Sequence, residues 1–263
     1  MDICTLEHPL RYSFCHIENP GSKHYLRHMH GEYELLLFLS GGGFYVVEDR
    51  RFPVAPHMLL LVPPNAYHYA DMKDAALYSR HMLAFKAQAV DESLLKAVCQ
   101  TATCYQLEAE HRIVQAFRQL DDLSRQTLGD HGDLMLKTMC TQILLGMALL
   151  QRDRAEQLSQ DQLPMDPLFT YIEKNLTNIR SVPEIAAHLY ISPSTLTHQF
   201  KEKMGISLMK YIRQKRLLLA QSLLERGEKP LEVASKCGFR EYTTFYKAYL
   251  RQFGTAPSKQ PVS

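Results

Sequence analysis

The spacing of apolar positions changes twice along the chain. From about Leu10 to Phe85, short β-branched and aromatic runs are separated by Gly, Pro and Asn. Glu34-Leu-Leu-Leu-Phe-Leu39 precedes Ser-Gly-Gly-Gly at 40–43, and Phe44-Tyr-Val-Val47, Met58-Leu-Leu-Leu-Val62 and Pro-Pro-Asn at 63–65 follow. Strands of this length with turn signals between them predict an antiparallel barrel or sandwich. From about Asp91 the period becomes helical: Leu136, Met139, Ile143, Met147 and Leu150 recur every three or four residues. That stripe packs either on its own barrel or on a second copy of the chain. Gln151 to Pro164 is polar and ends on a proline, the composition of a linker with a helical start. Beyond it everything to about Phe253 is helical. The expected segments are a barrel at 8–85, helices at 90–152, a linker at 153–165 and a helical domain at 166–263.

Within the last segment a pattern repeats about fifty residues apart, Val182-Pro-Glu-Ile-Ala-Ala and Leu231-Glu-Val-Ala-Ser-Lys. In the first copy Ser181, with Glu184 three residues on, is a capping-box signature. Tyr190-Ile191-Ser192 forms a turn, and Ser192 caps a helix with Pro193 at its first position and Gly205 at its end. Leu196 and Phe200 face inward there and leave Ser194, Thr195, Thr197, His198 and Lys201 outside. In the second copy Cys237-Gly238-Phe239 turns the chain. A helix from Glu241 then buries Phe245 and shows Tyr242, Thr243, Thr244, Tyr246 and Lys247. Each copy has the form of a helix-turn-helix, at about 182–204 and 231–254, with a helix from Leu208 to Leu224 between them.

Charge sharpens this division. The chain has a formal net charge of +2, yet residues 166–263 carry 15 Lys+Arg against 8 Asp+Glu, and the remainder is net acidic. A basic module joined to an acidic one predicts a polyanion-binding half and a half with another task. The six cysteines, Cys4, Cys15, Cys99, Cys104, Cys140 and Cys237, show no C-x-x-C pairing, which excludes a zinc ribbon or a disulfide framework and fits reduced thiols. The N-terminus lacks a signal-peptide pattern, and the most apolar run, Ile143 to Leu150, is short for a bilayer. The expectation is a cytoplasmic protein that does not use a membrane.

Residues 185–201 (Ile-Ala-Ala-His-Leu-Tyr-Ile-Ser-Pro-Ser-Thr-Leu-Thr-His-Gln-Phe-Lys), Gly205 to Arg216, Val233-Ala-Ser-Lys-Cys-Gly-Phe239 and Phe253-Gly-Thr-Ala-Pro257 together resemble the DNA-binding domain of AraC/XylS-type transcriptional regulators. The resemblance covers about 166–260 and departs at Arg240-Glu241, where the family has Ser or Asp as the cap. It implies two recognition helices in successive major grooves of double-stranded DNA, about 34 Å apart. Ser194, Thr197 and His198 would reach base edges in one groove, and Thr243, Thr244 and Lys247 in the next. Lys201, Lys210, Arg213, Arg216 and Arg251 would meet phosphates.

In the N-terminal half, His28-Met-His30-Gly-Glu-Tyr-Glu34 followed by Gly41, and then Pro63-Pro-Asn-Ala-Tyr-His68, resemble the two cupin motifs, with Pro56-His57-Met58 in place of the usual Pro-Gly-Asp. On a strand His28, His30 and Glu34 share one face, and His68 can arrive from a facing strand. Imidazoles with a carboxylate suit a first-row metal ion. The same groups also shape a small-molecule pocket or satisfy one another. Tyr12, Tyr33, Tyr45, Tyr67, Tyr69 and Tyr78 near them suit sugars or aromatic acids. The reading that follows is a two-domain protein, an all-β cupin-like barrel with trailing helices followed by an all-α double helix-turn-helix domain. It is not an enzyme and needs no cofactor. It regulates transcription in response to an effector, a sugar among the candidates, bound at His28, His30, Glu34 and His68, and it dimerises through the 134–150 helix. The rival is a metal-dependent cupin enzyme with an appended helical domain, in which the same four residues are metal ligands.

Overall fold

Strand β2 (Tyr33–Phe38) shows how the first half is built. Leu35 and Leu37 join one apolar core, with Leu59, Leu61, Leu83 and Phe85. Leu36 and Phe38, on the opposite face, join a second core with Tyr45, Val47, Leu60, Val62 and Tyr78. Both faces of the strand are covered, which is why its sequence is continuously apolar instead of alternating. One face looks at a second sheet and the other at helices.

In this computed structural model the described residues are 9–20, 27–48, 50–72, 75–98, 103–126, 131–157 and 167–259, without the side chains of 152–157 and 259. Two compact units divide the chain, Met1–Asp161 and Gln162–Ser263.

In the first unit β1 (Leu10–Glu18), β2, β3 (Phe44–Val47), β4 (Arg50–Pro53), β5 (Met58–Val62), β6 (His68–Asp71), β7 (Leu77–Phe85) and β8 (Thr103–Gln106) form two antiparallel sheets, β1-β7-β2-β5-β8 and β4-β3-β6. Helices α1 (Glu92–Val98), α2 (Arg112–Ser124) and α3 (Gly132–Gln157) cover the outer face of the larger sheet. Tyr12 ties that sheet to α2: its hydroxyl donates to Asp121 at 2.8 Å and accepts from His81 Nδ1 at 2.7 Å.

Three expectations are corrected here. The 90–152 segment is not all helical, because β8 pairs with β5 and buries Tyr105 in the outer core; a period of two over four residues is too short a signal against helical flanks. Of the expected linker, 153–157 continues α3, and 158–165 lies outside the described residues. The stripe offered for pairing is an internal one. Met139, Ile143 and Met147 are buried together with Cys140 and Leu144, and Leu136 and Leu150 pack at their edge. Gly146 lets α3 approach α2, since a Cβ there would lie 2.9 Å from Ile113 Cγ1. The opposite face leaves Leu134, Leu145 and Leu149 exposed. Gly132–Gln151 is long and apolar enough, by length and composition, to cross a membrane, a property that the eight-residue run concealed. Its buried face gives it the role of a core helix.

The second unit contains α4 (Pro167–Asn175), α5 (Val182–His188), α6 (Pro193–Met204), α7 (Leu208–Glu225), α8 (Pro230–Lys236) and α9 (Tyr242–Phe253). Leu217, Ala220 and Leu224 of α7 pack with Val233, Ala234, Phe245 and Tyr249. At the other end Phe169, Phe200 and Tyr211 form an aromatic cluster with ring centroids 5.4–6.3 Å apart. Ser192 accepts from Thr195 N at 3.0 Å and Gly205 ends α6 at φ 72°, as the sequence predicts. Ser181 makes no side-chain cap bond: Pro183 removes one donor it would meet, and Glu184 accepts from Arg180 N at 2.9 Å instead. Glu241 likewise leaves the start of α9 without a side-chain cap.

Candidate nucleic-acid interface and ligand site

Both helix-turn-helix units close through the same backbone device. Ile191 N donates to Ala186 O and Phe239 N to Ala234 O, each at 3.0 Å, with Tyr190 (φ 55°) and Gly238 (φ 79°) at the matching left-handed position. These are the six-to-one bonds that end helices of this kind. The second turn must be glycine: a Cβ on Gly238 would lie 2.2 Å from Thr177 O. Tyr190 meets no such wall and is 96% exposed.

Small Ala186 and Ala234 are buried beneath these turns, and the helices that follow present their polar faces outward. Ser194, Thr197, His198 and Lys201 of α6 are exposed, as are Thr243, Thr244, Lys247 and Arg251 of α9 and Lys210 and Arg213 of α7. Thr197 donates to Pro193 O at 2.8 Å, so its hydroxyl faces outward mainly as an acceptor. His198 Nε2 lies 3.9 Å from Glu202 Oε2.

Arg216 is the exception. It is buried, with Nε on Leu176 O at 2.8 Å, Nη1 on Gly238 O at 3.0 Å and Nη2 on Ile179 O at 2.5 Å. Three of its five N–H donors go to carbonyls and the side chain is buried, which contradicts the expectation that it meets phosphate. Sequence periodicity did not separate it from Lys215, because only the fold brings those carbonyls to it. Beside it lies a cleft of about 420 Å³ lined by Arg180, Arg213, Arg240 and Thr244. Arg180 and Arg240 were missed from sequence; each lies just outside a helix, where a search along helical faces does not look.

In the first unit His28 and His68 face each other through a two-residue bridge, His28 N to His68 O at 3.1 Å and His68 N to His28 O at 2.9 Å. A bend at Gly31-Glu32 separates His30 from β2, so the expected continuous strand is broken, yet the four side chains still converge. Their ligand atoms all lie within 4.8 Å of one another. His30 Nε2 is 3.0 Å from Glu34 Oε1, and His68 Nε2 is 3.4 Å from Glu34 Oε2. A carbonyl only accepts, so the 2.8 Å contact between His68 Nδ1 and Ala66 O puts a proton on Nδ1 and aims Nε2 at Glu34. Burial opposes the charged form of His30, but the contact with Glu34 outweighs it and raises the imidazole above its ordinary value. Burial also works against an ionised Glu34, while the hydrogen bond with His30 and the nearby His68 imidazole hold its carboxyl well below the usual range.

Three imidazoles and a carboxylate are a donor set suited to a divalent ion, although their separations of up to 4.8 Å are wider than the roughly 3.0–3.4 Å expected between ligands about 2.1 Å from one centre, so the side chains would draw together around it. They equally fit the polar end of an organic ligand.

Residues 11–144 match the family described as "AraC-like ligand binding domain", and residues 185–260 that described as "Helix-turn-helix domain". The chain is 32% identical over 146 residues to the probable transcriptional regulator LumQ of Photobacterium leiognathi, covering 54% of this chain and 58% of that protein. It is 24% identical over 239 residues to the arabinose operon regulatory protein of Escherichia coli K12, covering 86% and 79%. Among solved structures it is similar to ToxT from Vibrio cholerae O395, with a TM-score of 0.40 at 13% identity over 95% of this chain and 96% of that one. It is also similar to the DNA-binding domain of AdpA in complex with a target DNA, with a TM-score of 0.34 at 31% identity over 36% and 88%. The ligand-binding match spans half of the chain and the helix-turn-helix match follows it in order, so the chain belongs to the AraC family of transcriptional regulators, with a ligand-binding and a DNA-binding domain.

Proposed function

We propose that the chain is a cytoplasmic, homodimeric regulator whose barrel senses a small molecule at His28, His30, Glu34 and His68 and does not catalyse its turnover. The convergence of these four groups on one point carries this reading. In the DNA-binding unit, Ser194, Thr197 and His198 read one groove and Thr243, Thr244 and Lys247 the next. Lys201, Lys210, Arg213 and Arg251 hold phosphates, and Arg180 and Arg240 of the basic cleft join them. Pairing through α3 uses Leu134, Leu145 and Leu149, the apolar residues its own core leaves exposed. The test is a promoter reporter with metabolites that raise the melting temperature of the full chain. His30→Ala should abolish the response while leaving DNA affinity of the unliganded protein nearly unchanged, since the two sites communicate only through two states. An unchanged response in the His28→Ala, Glu34→Ala double variant would overturn it.

A second reading is favoured by the donor set itself: the four groups hold a divalent ion that is the signal or part of the site. Metal analysis of purified protein, and chelation during a DNA-binding assay, separate the two.

A further inference from the structure

Arg80 lies in β7 directly across from Cys15 of β1 and Phe38 of β2. Opposed residues share a face, and Phe38 belongs to the core between the sheets, so Arg80 leaves the sheet on the inner side. There its Nε donates to Tyr78 Oη at 2.7 Å, with the guanidinium 5.8 Å from that ring. Its Nη1 is buried and has no hydrogen-bond partner, and among the described residues no carboxylate forms an ion pair with it. Glu34, the acidic group of the same interior, is already engaged by His30 and His68. A guanidinium stays charged at any pH a protein survives. Arg80 as a whole is half-buried, but a charged group that keeps a buried donor unmet is costly unless something pairs with it.

The surroundings supply both an entrance and a wall. On the inner face, Ser13 is exposed and Cys15, Ile17 and Met82 are half-buried, whereas Leu36, Phe38 and Leu60 are fully buried. Among the described residues β1, the edge strand, is the accessible side of this face, and Arg80 lies one strand in from it. The Tyr45 ring meets Phe38 at 5.7 Å and His68 at 6.2 Å, and Phe38 meets Tyr78 at 6.3 Å. An aromatic wall therefore runs from Arg80 to the histidine cluster.

We propose that Arg80 receives the carboxylate of a small organic acid that enters along β1 and lies against Cys15, Ile17 and Met82, the half-buried side chains beside it on the inner face, and that this acid is the effector. The planar fork of the guanidinium matches a carboxylate in two parallel hydrogen bonds, and the half-buried apolar side chains beside it accept the organic body. This deepens the reading of the barrel as the effector domain and rests on it. It selects an anion over a neutral sugar.

The test uses the full chain as wild type, Arg80→Met and Arg80→Lys. Thermal unfolding is followed without ligand, with sodium benzoate and sodium hexanoate, with the two matching amides, with neutral aldoses, and with sodium chloride as the ionic-strength control. Without ligand, Arg80→Met is expected to melt at or above the wild type, because it removes an unpaired charge and keeps the volume. A carboxylate should raise the wild-type midpoint where its amide does not. Arg80→Met should weaken that binding by about tenfold or more, as for other lost charge pairs, and Arg80→Lys should retain part of it. An Arg80→Met variant that melts well below the wild type makes Arg80 a structural residue and overturns the proposal. No carboxylate response in the wild type, or one that Arg80→Met leaves unchanged, overturns it equally. If aldoses stabilise the wild type and Arg80→Met alike, the barrel remains an effector domain and only the anion assignment falls.

Discussion

Arg216 Nη1 donates to the carbonyl of Gly238 at 3.0 Å. This bond joins the helix between the two DNA-reading units to the turn of the second one. The other two guanidinium bonds reach Leu176 and Ile179, so one side chain fastens α7, the α4–α5 connection and the second turn together.

Arg216→Met should therefore act on folding and leave the electrostatics of binding largely alone. Three carbonyls lose a charged donor, at roughly 1.5–3 kcal/mol for a bond of this kind and with incomplete additivity. Urea unfolding should show a loss on the order of 3 kcal/mol in the DNA-binding unit. Arg213→Ala should leave stability nearly intact and reduce the salt slope of DNA binding by about one unit. The reverse assignment would show a full-unit slope change for Arg216→Met with unchanged stability.

Gly238 and Gly254 both sit at positive φ, and they should respond differently to alanine. At Gly254 a Cβ meets nothing within 4 Å, so Gly254→Ala costs about 1 kcal/mol of backbone strain. At Gly238 the same strain is joined by a 2.2 Å collision with Thr177 O, a rigid backbone atom. Gly238→Ala should cost clearly more than Gly254→Ala in denaturant melts, and equal losses would contradict the geometry.

Base reading and phosphate holding are separable by selection from a randomised site library. His198→Ala and Lys247→Ala should each alter preference in one half of the site, by about 1–3 kcal/mol for a good contact. Lys210→Ala should weaken all sequences alike. Identical profiles for all three variants would remove the assignment of α6 and α9 as readers.

The two faces of α3 predict opposite phenotypes. Leu145→Glu and Leu149→Glu alter exposed positions and should leave the fold intact while shifting the protein to monomer in sedimentation. Ile143→Ala empties a fully buried site and should cost about 2–5 kcal/mol. A Leu145→Glu protein that remains dimeric would move the pairing surface elsewhere.

Cys237 gives a pH dependence. Burial first, with Glu228 adding to it, pushes the thiol from 9.0 up to about 11. The folded state thus holds this proton more tightly than the unfolded state. The associated stability is complete below about pH 9 and is lost as pH rises toward 11. Mass-resolved alkylation at pH 9 should spare Cys237 in the folded protein and label it in urea; rapid labelling of the native protein would contradict its burial.

Much of the second unit was legible in the chain, because its signals are local. Ser192-Pro193 and Gly205 announce the ends of α6 through the backbone conformations they favour, and the repeat of Ala186 and Ala234 marks where two helices must approach. The exposed polar faces of α6 and α9 follow from helical periodicity alone. In the barrel, residue types pointed to His28, His30, Glu34 and His68 as one set, although the strand expected to align them is broken at Gly31-Glu32.

Tertiary structure decided whatever depends on partners distant in sequence. The residue types on α7 made Arg216 one more available cation, and the arrival of Leu176, Ile179 and Gly238 carbonyls made it a clamp. The apolar stripe of α3 showed that one face is buried; the position of the sheet and α2 settled which face, and left Leu134, Leu145 and Leu149 outside. Strand β8 owes its form to the edge of β5. Arg80 carries no signal in the sequence, and only the register opposite Cys15 and Phe38 turns it to the inner face. Local sequence sets backbone preference and periodicity, but a charge or a methyl group acquires its role from the groups the fold brings within a few ångströms of it.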